Sequence, residues 1–404
     1  MKTMNIAVDT NCILPGKVGG IEDYTVALIE SLCLPGSPAR QVCLLTRPEN
    51  RDLFQTFAAS GCVLIDVPRP IYRDEPVRNW ADLRAESPQQ ARRLLLAFAQ
   101  AKTRLLKEAG VDLVHFPGNS VNPLELAFPI VLNLHDLQHR HFPEYFTESE
   151  IENRERWWSA SAFRTDALVA ASVWIADDLH AQLGVDRQKI FVTPEPMRLT
   201  HTVEPSLDFL IDLRRRWQLP ISFFIYPAAA WPHKNHDRLL RAFAAAKLDG
   251  VQLLLTGGGQ EDSPLAGLIQ SLGLAGRARL LGRISTEDLA GLYRLATALI
   301  FPSQYEAWSL PITEAMQAGC PVASSSVTSL PEQVGDAGLL FDADDVAGMT
   351  SVMQRLARDG ELRQTLSEKG QERVQQFTSA RFLQTLTTAY AFATSAYAAR
   401  KAAA

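Results

Sequence analysis

Short, nearly unbroken apolar runs alternate along this chain with longer stretches whose apolar residues recur at helical spacing. Asn5–Val8, Val42–Thr46, Val63–Val67, Leu113–Phe116, Ile130–Leu134, Ala167–Ala170 and Ile190–Thr193 predict strands. Glu22–Leu32, Ala91–Ala109, Glu148–Phe163 and Ile175–Leu183 predict helices between them. The alternation then starts again. Phe223–Tyr226, Val251–Thr256, Ala278–Leu281, Ala298–Phe301, Pro321–Ser324 and Gly338–Phe341 predict strands. Asn235–Ala246, Pro264–Leu272, Ser285–Ala296, Leu310–Ala318 and Val346–Asp359 predict helices. Strands alternating with helices imply βαβ units around a parallel sheet. The pattern therefore predicts an α/β chain of two Rossmann-like domains, residues 1–198 and 220–380. Between them, Pro194, Pro196, Pro205 and Pro220 with their charged neighbours mark a connection, with 199–219 as the linker proper.

Composition narrows the class. The chain has 404 residues, 47% hydrophobic and 21% charged, with a formal net charge of −5. That is ordinary for a globular protein and argues against disorder. Neither half carries the basic excess that nucleic acid calls for, so no nucleic-acid partner is expected. Cys12, Cys33, Cys43, Cys62 and Cys320 are scattered and odd in number, which reads as reduced thiols. No apolar run approaches the ~20 residues that span a bilayer. With no apolar leader ahead of Asn5, the expectation is a cytoplasmic protein. Arg92, Arg93, Lys102, Arg104 and Lys107 make one amphipathic helix basic. Such a helix can rest on an anionic membrane, giving peripheral contact with its inner face. Packing of that helix on the sheet is the simpler reading. Pro68–Pro88, rich in Arg, Asp and Glu, predicts a long loop that shapes substrate binding.

Open α/β sheets bind ligands beyond the carboxyl ends of their strands. The informative residues lie there. Glu306 and Glu314 bracket the start of the helix after Ala298–Phe301. Backbone amides at a helix start favour phosphate, so Ser309, Leu310 and Ile312 offer an anion cradle, with Pro311 contributing shape but no N–H. Lys234 follows the strand Phe223–Tyr226 and can serve as a fixed cation for a leaving diphosphate. Gly19 and Gly20, after the first strand, let the backbone approach a phosphate closely. His135, His139, His141 and Glu144 crowd one loop, yet His135 ends a strand and no cysteine joins them, so a zinc site is not expected. Trp308 either shapes a sugar pocket or packs.

Taken in order, these segments resemble the GT-B glycosyltransferases of family 4. Ile300-Phe-Pro-Ser303, Glu306, Glu314-Ala-Met-Gln-Ala-Gly-Cys-Pro-Val322, Ser329-Leu-Pro-Glu332 and Gly335-Asp-Ala-Gly338 are similar to its donor-binding domain. Tyr226 to Asn235, Leu253 to Gly257, Leu281 to Arg283, Val18 to Tyr24 and Leu134 to Leu137 are similar to further motifs of that family. The resemblance implies two domains facing across a deep cleft, an acceptor-side first domain, and a last helix (381–404) packing back toward it. It implies a retaining, metal-independent hexosyltransferase with no cofactor. Catalytic roles fall to Glu306, His135 and Lys234. The donor is held by Gly19, Gly20, Lys234, Glu306, Ser309, Leu310, Pro311, Ile312 and Glu314. His135 contacts the donor sugar and acceptor. The Trp-Pro-His-Lys-Asn-His and His-Asp-Leu-Gln-His stretches are similar to mannosyl- and rhamnosyltransferases of polysaccharide assembly. They favour GDP-mannose as donor and a glycan or lipid-linked saccharide as acceptor. One departure stands out: where the family often carries arginine, five positions before the lysine, this chain has Ala229. A UDP-hexose donor, a nucleotide-sugar 2-epimerase and a non-catalytic nucleotide-sugar-binding protein are the alternatives.

Overall fold

The computed structural model describes residues 3–16, 19–67, 71–72, 75–76, 83, 86–197, 204–257 and 264–403. The chain folds as two compact units. The first takes the residues up to Ala171, then Ala176–Pro196 and the chain end from Ser379 onward. The second takes Ser172–Ile175 and Met197–Thr378.

The first unit is built on a seven-stranded sheet: β1 (Met4–Asp9), β2 (Ala39–Thr46), β3 (Val63–Asp66), β6 (Leu113–Phe116), β7 (Ile130–Asn133), β8 (Ala167–Ala170) and β9 (Ile190–Val192). The spatial order is β3-β2-β1-β6-β7-β8-β9 and every pairing is parallel. A short antiparallel ribbon, β4 (Ile71–Tyr72) with β5 (Glu75–Pro76), lies apart from it. All four residues of β6, of β7 and of β8 are buried. Burial on both faces is why these strands read as continuous apolar runs rather than alternating ones. The helix Glu148–Arg164 starts on a capping box, Thr147 and Glu150 bonding each other's backbone N–H. The basic helix runs from Pro88 to Glu108 and buries Ala91, Ala99, Lys102 and Leu106. Lys102 thus lies in the interior, not on the exposed basic face. Its Nζ pairs with the Asp9 carboxylate at the end of β1 and donates to the Asn122 carbonyl (2.7 Å). Among the described residues no helix is long and apolar enough to cross a membrane.

The second unit repeats the design with β10 (Ser222–Pro227), β11 (Val251–Thr256), β12 (Ala278–Gly282), β13 (Ala298–Phe301), β14 (Val322–Ser325) and β15 (Gly338–Phe341). Their order, β12-β11-β10-β13-β14-β15, is again all parallel. In each sheet the strand order reverses beside the first strand, which is where such folds place ligands.

Two stretches differ from the sequence expectation. The predicted linker carries a helix, Leu207–Arg216, capped by Ser206 and belonging to the second unit. Leu213 is fully buried in it, and its side chain and that of Phe209 lie against Gly291 of the helix Thr286–Leu295. Prolines at both ends disguised a capped apolar stripe. A further helix, Gly360–Val374, was not predicted; Asp359 caps it through the Leu362 N–H (2.9 Å). The last helix, Ser379–Ala403, packs on β7, β8, β9 and the helix Gly20–Leu32 of the first unit. It buries Phe382, Leu386, Ala389, Tyr390 and Ala393 there. Most of the predicted loop Pro68–Pro88 lies outside the described residues.

Candidate functional site

In the second unit, β10 and β13 are neighbours at the reversal point, and their carboxyl ends carry Lys234 and Glu306. After β10 the chain makes one 3-10 turn, Pro232–Lys234, then Asn235 adopts a left-handed φ of +59° and caps the helix His236–Ala246. Asparagine is one of the few side-chain-bearing residues that tolerates that conformation. Its amide donates to the carbonyls of Pro302 (3.0 Å) and Ala343 (2.8 Å). The His233 carbonyl accepts from the Gln304 N–H (2.7 Å) and Ser303 Oγ (3.2 Å). Buried Tyr226 donates its hydroxyl to the Lys234 carbonyl (2.8 Å). These bonds stitch the loop after β10 to the loop after β13. The result is that Lys234 Nζ donates to Glu306 Oε1 at 2.6 Å, with the two side chains only 16% and 10% exposed.

Glu306 is fixed by its backbone. Its N–H donates to Thr328 Oγ1 (3.1 Å), and its carbonyl accepts from Thr328 Oγ1 (2.7 Å) and Ser329 Oγ (3.0 Å). Thr328 makes those bonds at φ +46°. A β-branched residue at positive φ is an outlier, and such strain clusters at functional sites. Nothing in the sequence signals it, because threonine disfavours that conformation.

The helix Leu310–Gln317 starts beside this pair, with Ser309 as its cap. Here the structure refines the expected amide cradle. The Ser309 N–H is taken by Gln333 Oε1 (3.0 Å), and the Ile312 N–H points to Ser309 Oγ (3.4 Å). Gln333 also donates to the Ser309 carbonyl (2.7 Å) and Thr313 Oγ1 (2.8 Å). Pro311 has no N–H, so among the described residues of this first turn the Leu310 N–H is the amide not taken up by Ser309 or Gln333. Glu314 Oε2 accepts from Tyr293 OH (3.2 Å). Trp308 is buried edge-on against Phe377 (5.0 Å), which favours the packing reading of that residue. Gly257, after β11, has φ +92°, and a Cβ there would come within 3.1 Å of the Ala228 backbone. That glycine lets the turn after β10 lie against the end of β11.

The two histidines flanking Lys234 are neutral near pH 7. Burial, then the Lys234 charge and the neighbouring His236, push His233 down to about 3. Burial likewise pushes His236 down to about 4. Lys234 is therefore the cation of this loop.

In the first unit, Gly19 adopts φ +54° ahead of the helix Gly20–Leu32, a conformation that favours glycine. Val18, part of the same motif, lies outside the described residues. His135 follows β7 and is nearly buried. Its Nε2 meets the Pro117 carbonyl at 2.8 Å and its Nδ1 meets Glu195 Oε1 at 3.2 Å. Two acceptors on one ring favour the doubly protonated form. Burial opposes the charge, but the Glu195 carboxylate and Pro117 carbonyl outweigh it and raise the His135 pKa above its ordinary value. The side chain expected against a sugar spends both nitrogens inside the protein. Glu195, which holds it, went unnoticed in a proline-flanked stretch. His139 pairs with Glu155 (3.0 Å) and His141 with Asp178 (2.9 Å). Among the described residues no group of three or more His, Cys, Asp or Glu side chains is placed to hold a metal ion.

The sequence profile of the "Glycosyltransferase Family 4" matches residues 18–200, and that of "Glycosyl transferases group 1" matches residues 216–373. The chain belongs to the family 4 glycosyltransferases. It is 29% identical over 255 residues to the O-antigen chain mannosyltransferase B of Escherichia coli, covering 61% of this chain and 66% of that relative. It is 31% identical over 186 residues to the MMP alpha-(1->4)-mannosyltransferase of Mycolicibacterium hassiacum, covering 45% and 44%. The match thus spans somewhat less than two thirds of the first relative and less than half of the second. A glycosyltransferase from Rickettsia africae superposes over 96% of this chain and 98% of its own, with TM-score 0.71 and 15% identity. HepE of Anabaena, solved with UDP and glucose, superposes over 95% and 98%, with TM-score 0.70 and 19% identity. These likenesses show the GT-B fold.

Proposed function

We propose that this glycosyltransferase moves mannose from GDP-mannose to a glycan or lipid-linked saccharide during surface polysaccharide assembly, with retention of anomeric configuration and without a metal. The observation that carries the reading is the Lys234–Glu306 pair, held at 2.6 Å at the strand-order reversal of the second unit. A leaving nucleoside diphosphate develops negative charge, and a preorganised cation in a half-dry site stabilises it most where it forms. Lys234 supplies that cation. Glu306 holds the lysine and accepts from the sugar hydroxyls, while Glu314 accepts from the ribose diol. The Leu310 amide at the helix start faces the phosphates. The leaving phosphate takes the proton of the attacking hydroxyl on the same face of the sugar. Trapping of a glycosyl adduct on Glu306 would overturn that route. The mannosyltransferases among the relatives support mannose as the sugar. Peripheral contact with the inner face of a membrane is supported by the exposed Arg92, Arg93, Arg104 and Lys107 of one helix.

The test is a thermal-shift panel of GDP, UDP, ADP and dTDP and their sugars, each with and without EDTA. A ligand at a hundredfold excess over its Kd stabilises by about 2.7 kcal/mol. A GDP-selective shift that survives EDTA is expected. A UDP-selective shift keeps the enzyme class and overturns the donor. A shift lost in EDTA overturns metal independence. Binding without turnover, with acceptors supplied, leaves a nucleotide-sugar-binding protein, and sugar isomerisation without acceptor leaves an epimerase.

A further inference from the structure

The first unit carries a second chemical group that glycosyl transfer does not use. Cys33 caps the carboxyl end of the helix Gly20–Leu32, and Cys62 lies just ahead of β3. Their sulfurs are 3.4 Å apart although the residues stand 29 positions apart in sequence. Cys33 is exposed and Cys62 is buried among Leu32 and the other core side chains. Both are reduced thiols in the structure. The approach left to a bond is short, about 1.4 Å, because a disulfide closes to about 2.05 Å.

We propose that Cys33 and Cys62 form a peroxide-responsive dithiol, with Cys33 as the attacking sulfur and Cys62 as the resolving one. The division of labour follows from exposure: Cys33 is open to peroxide from solvent, whereas Cys62 is buried. Either sulfur can donate across the 3.4 Å contact; with the Cys62 thiol as donor, the bond holds Cys33 below its usual pKa while raising Cys62. An accessible, low-pKa thiol beside a resolving cysteine is the arrangement that oxidises reversibly rather than to sulfinic acid. The Cys33 thiolate attacks one peroxide oxygen, the O–O bond breaks, and the departing hydroxide takes up the thiol proton as water. Cys33 is then a sulfenic acid. The Cys62 sulfur attacks it, the S–O bond breaks, and a second water leaves with the Cys62 proton. Two thiols lose two electrons in all, and one peroxide becomes two waters. The bond ties the far end of the helix that begins at Gly19–Gly20 to the start of β3. The inference is independent of the donor and acceptor assigned above.

The experiment treats the reduced full chain with graded hydrogen peroxide, blocks remaining thiols by alkylation, and maps tryptic peptides by mass spectrometry. Cleavage after Arg40 and after Arg51 places Cys33, Cys43 and Cys62 on different peptides. The expected product is one cross-linked pair, Cys33 with Cys62, lighter by two hydrogens than the reduced peptides and split by a thiol reductant. It is absent in Cys33→Ser, retained in Cys43→Ser, and accompanied by a rise in thermal midpoint that Cys33→Ser does not show. Conversion of Cys33 to sulfinic acid while Cys62 stays alkylable overturns the proposal, as does a cross-link that joins Cys62 to Cys43 or two chains to each other.

Discussion

Lys234 and Glu306 are held by bonds to their backbones, and that separates what each side chain does from what keeps it there. Lys234→Ala removes the fixed cation; loss of one preorganised electrostatic group costs about a hundred- to a thousandfold in kcat. Steady-state kinetics should find that loss mainly in kcat, and the melting midpoint should fall as well, because Glu306 is left largely buried without its cation. Thr328 gives a sharper test. Its positive φ costs about 1–3 kcal/mol, yet its hydroxyl makes two of the bonds that fix Glu306. Thr328→Gly relieves the strain and deletes the hydroxyl. The expected outcome is a variant at least as stable as the parent by urea titration but at least tenfold slower. Thr328→Ser keeps the hydroxyl and should keep turnover. A Thr328→Gly variant with full activity would show that Glu306 needs no such support.

At the scale of elements, burial patterns were the legible part. The strands were readable because parallel sheets bury both faces, and Lys234 and Glu306 stood out because they lie on the loops that leave β10 and β13, with Glu314 in the helix that follows. What escaped was made by contacts distant in sequence. Leu207–Arg216 hid behind prolines, although Ser206, Phe209, Leu210 and Leu213 spell a cap and an apolar stripe. Leu213→Ala should cost about 2–5 kcal/mol in unfolding free energy, the range for a fully buried leucine, where a true linker residue would cost almost nothing. Lys102 was read as surface charge because a helix pattern cannot announce a carboxylate 93 positions away. Lys102→Ala leaves Asp9 buried and unpaired, and about 3–5 kcal/mol of stability should go with it. Arg104→Ala, on the exposed side of the same helix, should fall within about 0.5 kcal/mol of the parent. The occupied Ser309 and Ile312 amides escaped too, since only the fold brings Gln333 to that helix start.

Over the whole molecule, buried neutral histidines set the response to acid. His115 is fully buried under the last helix, its Nδ1 against Tyr390 OH (2.7 Å) and its Nε2 against Asn133 Oδ1 (2.6 Å). Burial pushes it down to about 4. His233 and His236 are depressed as well, to about 3 and about 4. A depressed histidine binds its proton more readily when unfolded. These groups therefore cost nothing above their unfolded value of about 6.5 and withdraw stability as pH falls from there toward 4, each on the order of a few kcal/mol. His135, raised by Glu195, works the other way: its contribution is complete below about 6.5 and fades as pH rises through its folded value. Urea midpoints should fall steeply between pH 7 and pH 5, and less steeply in His115→Gln. An acid-independent midpoint would contradict the neutral, buried state of His115.

The placement of that last helix has a consequence for how the protein is made. A ribosome delivers the strands of the first unit early, but the helix that closes over β7, β8 and β9 emerges only after all of Met197–Thr378 has been synthesised. At about 5–20 residues per second, the nascent first unit waits on the order of ten to forty seconds with the seats of Phe382, Leu386 and Tyr390 open to water. In the order of birth the first unit begins first and is completed last, so a chain interrupted before Ser379 is wounded at its oldest part, and chaperones that guard exposed apolar surface have their longest engagement there.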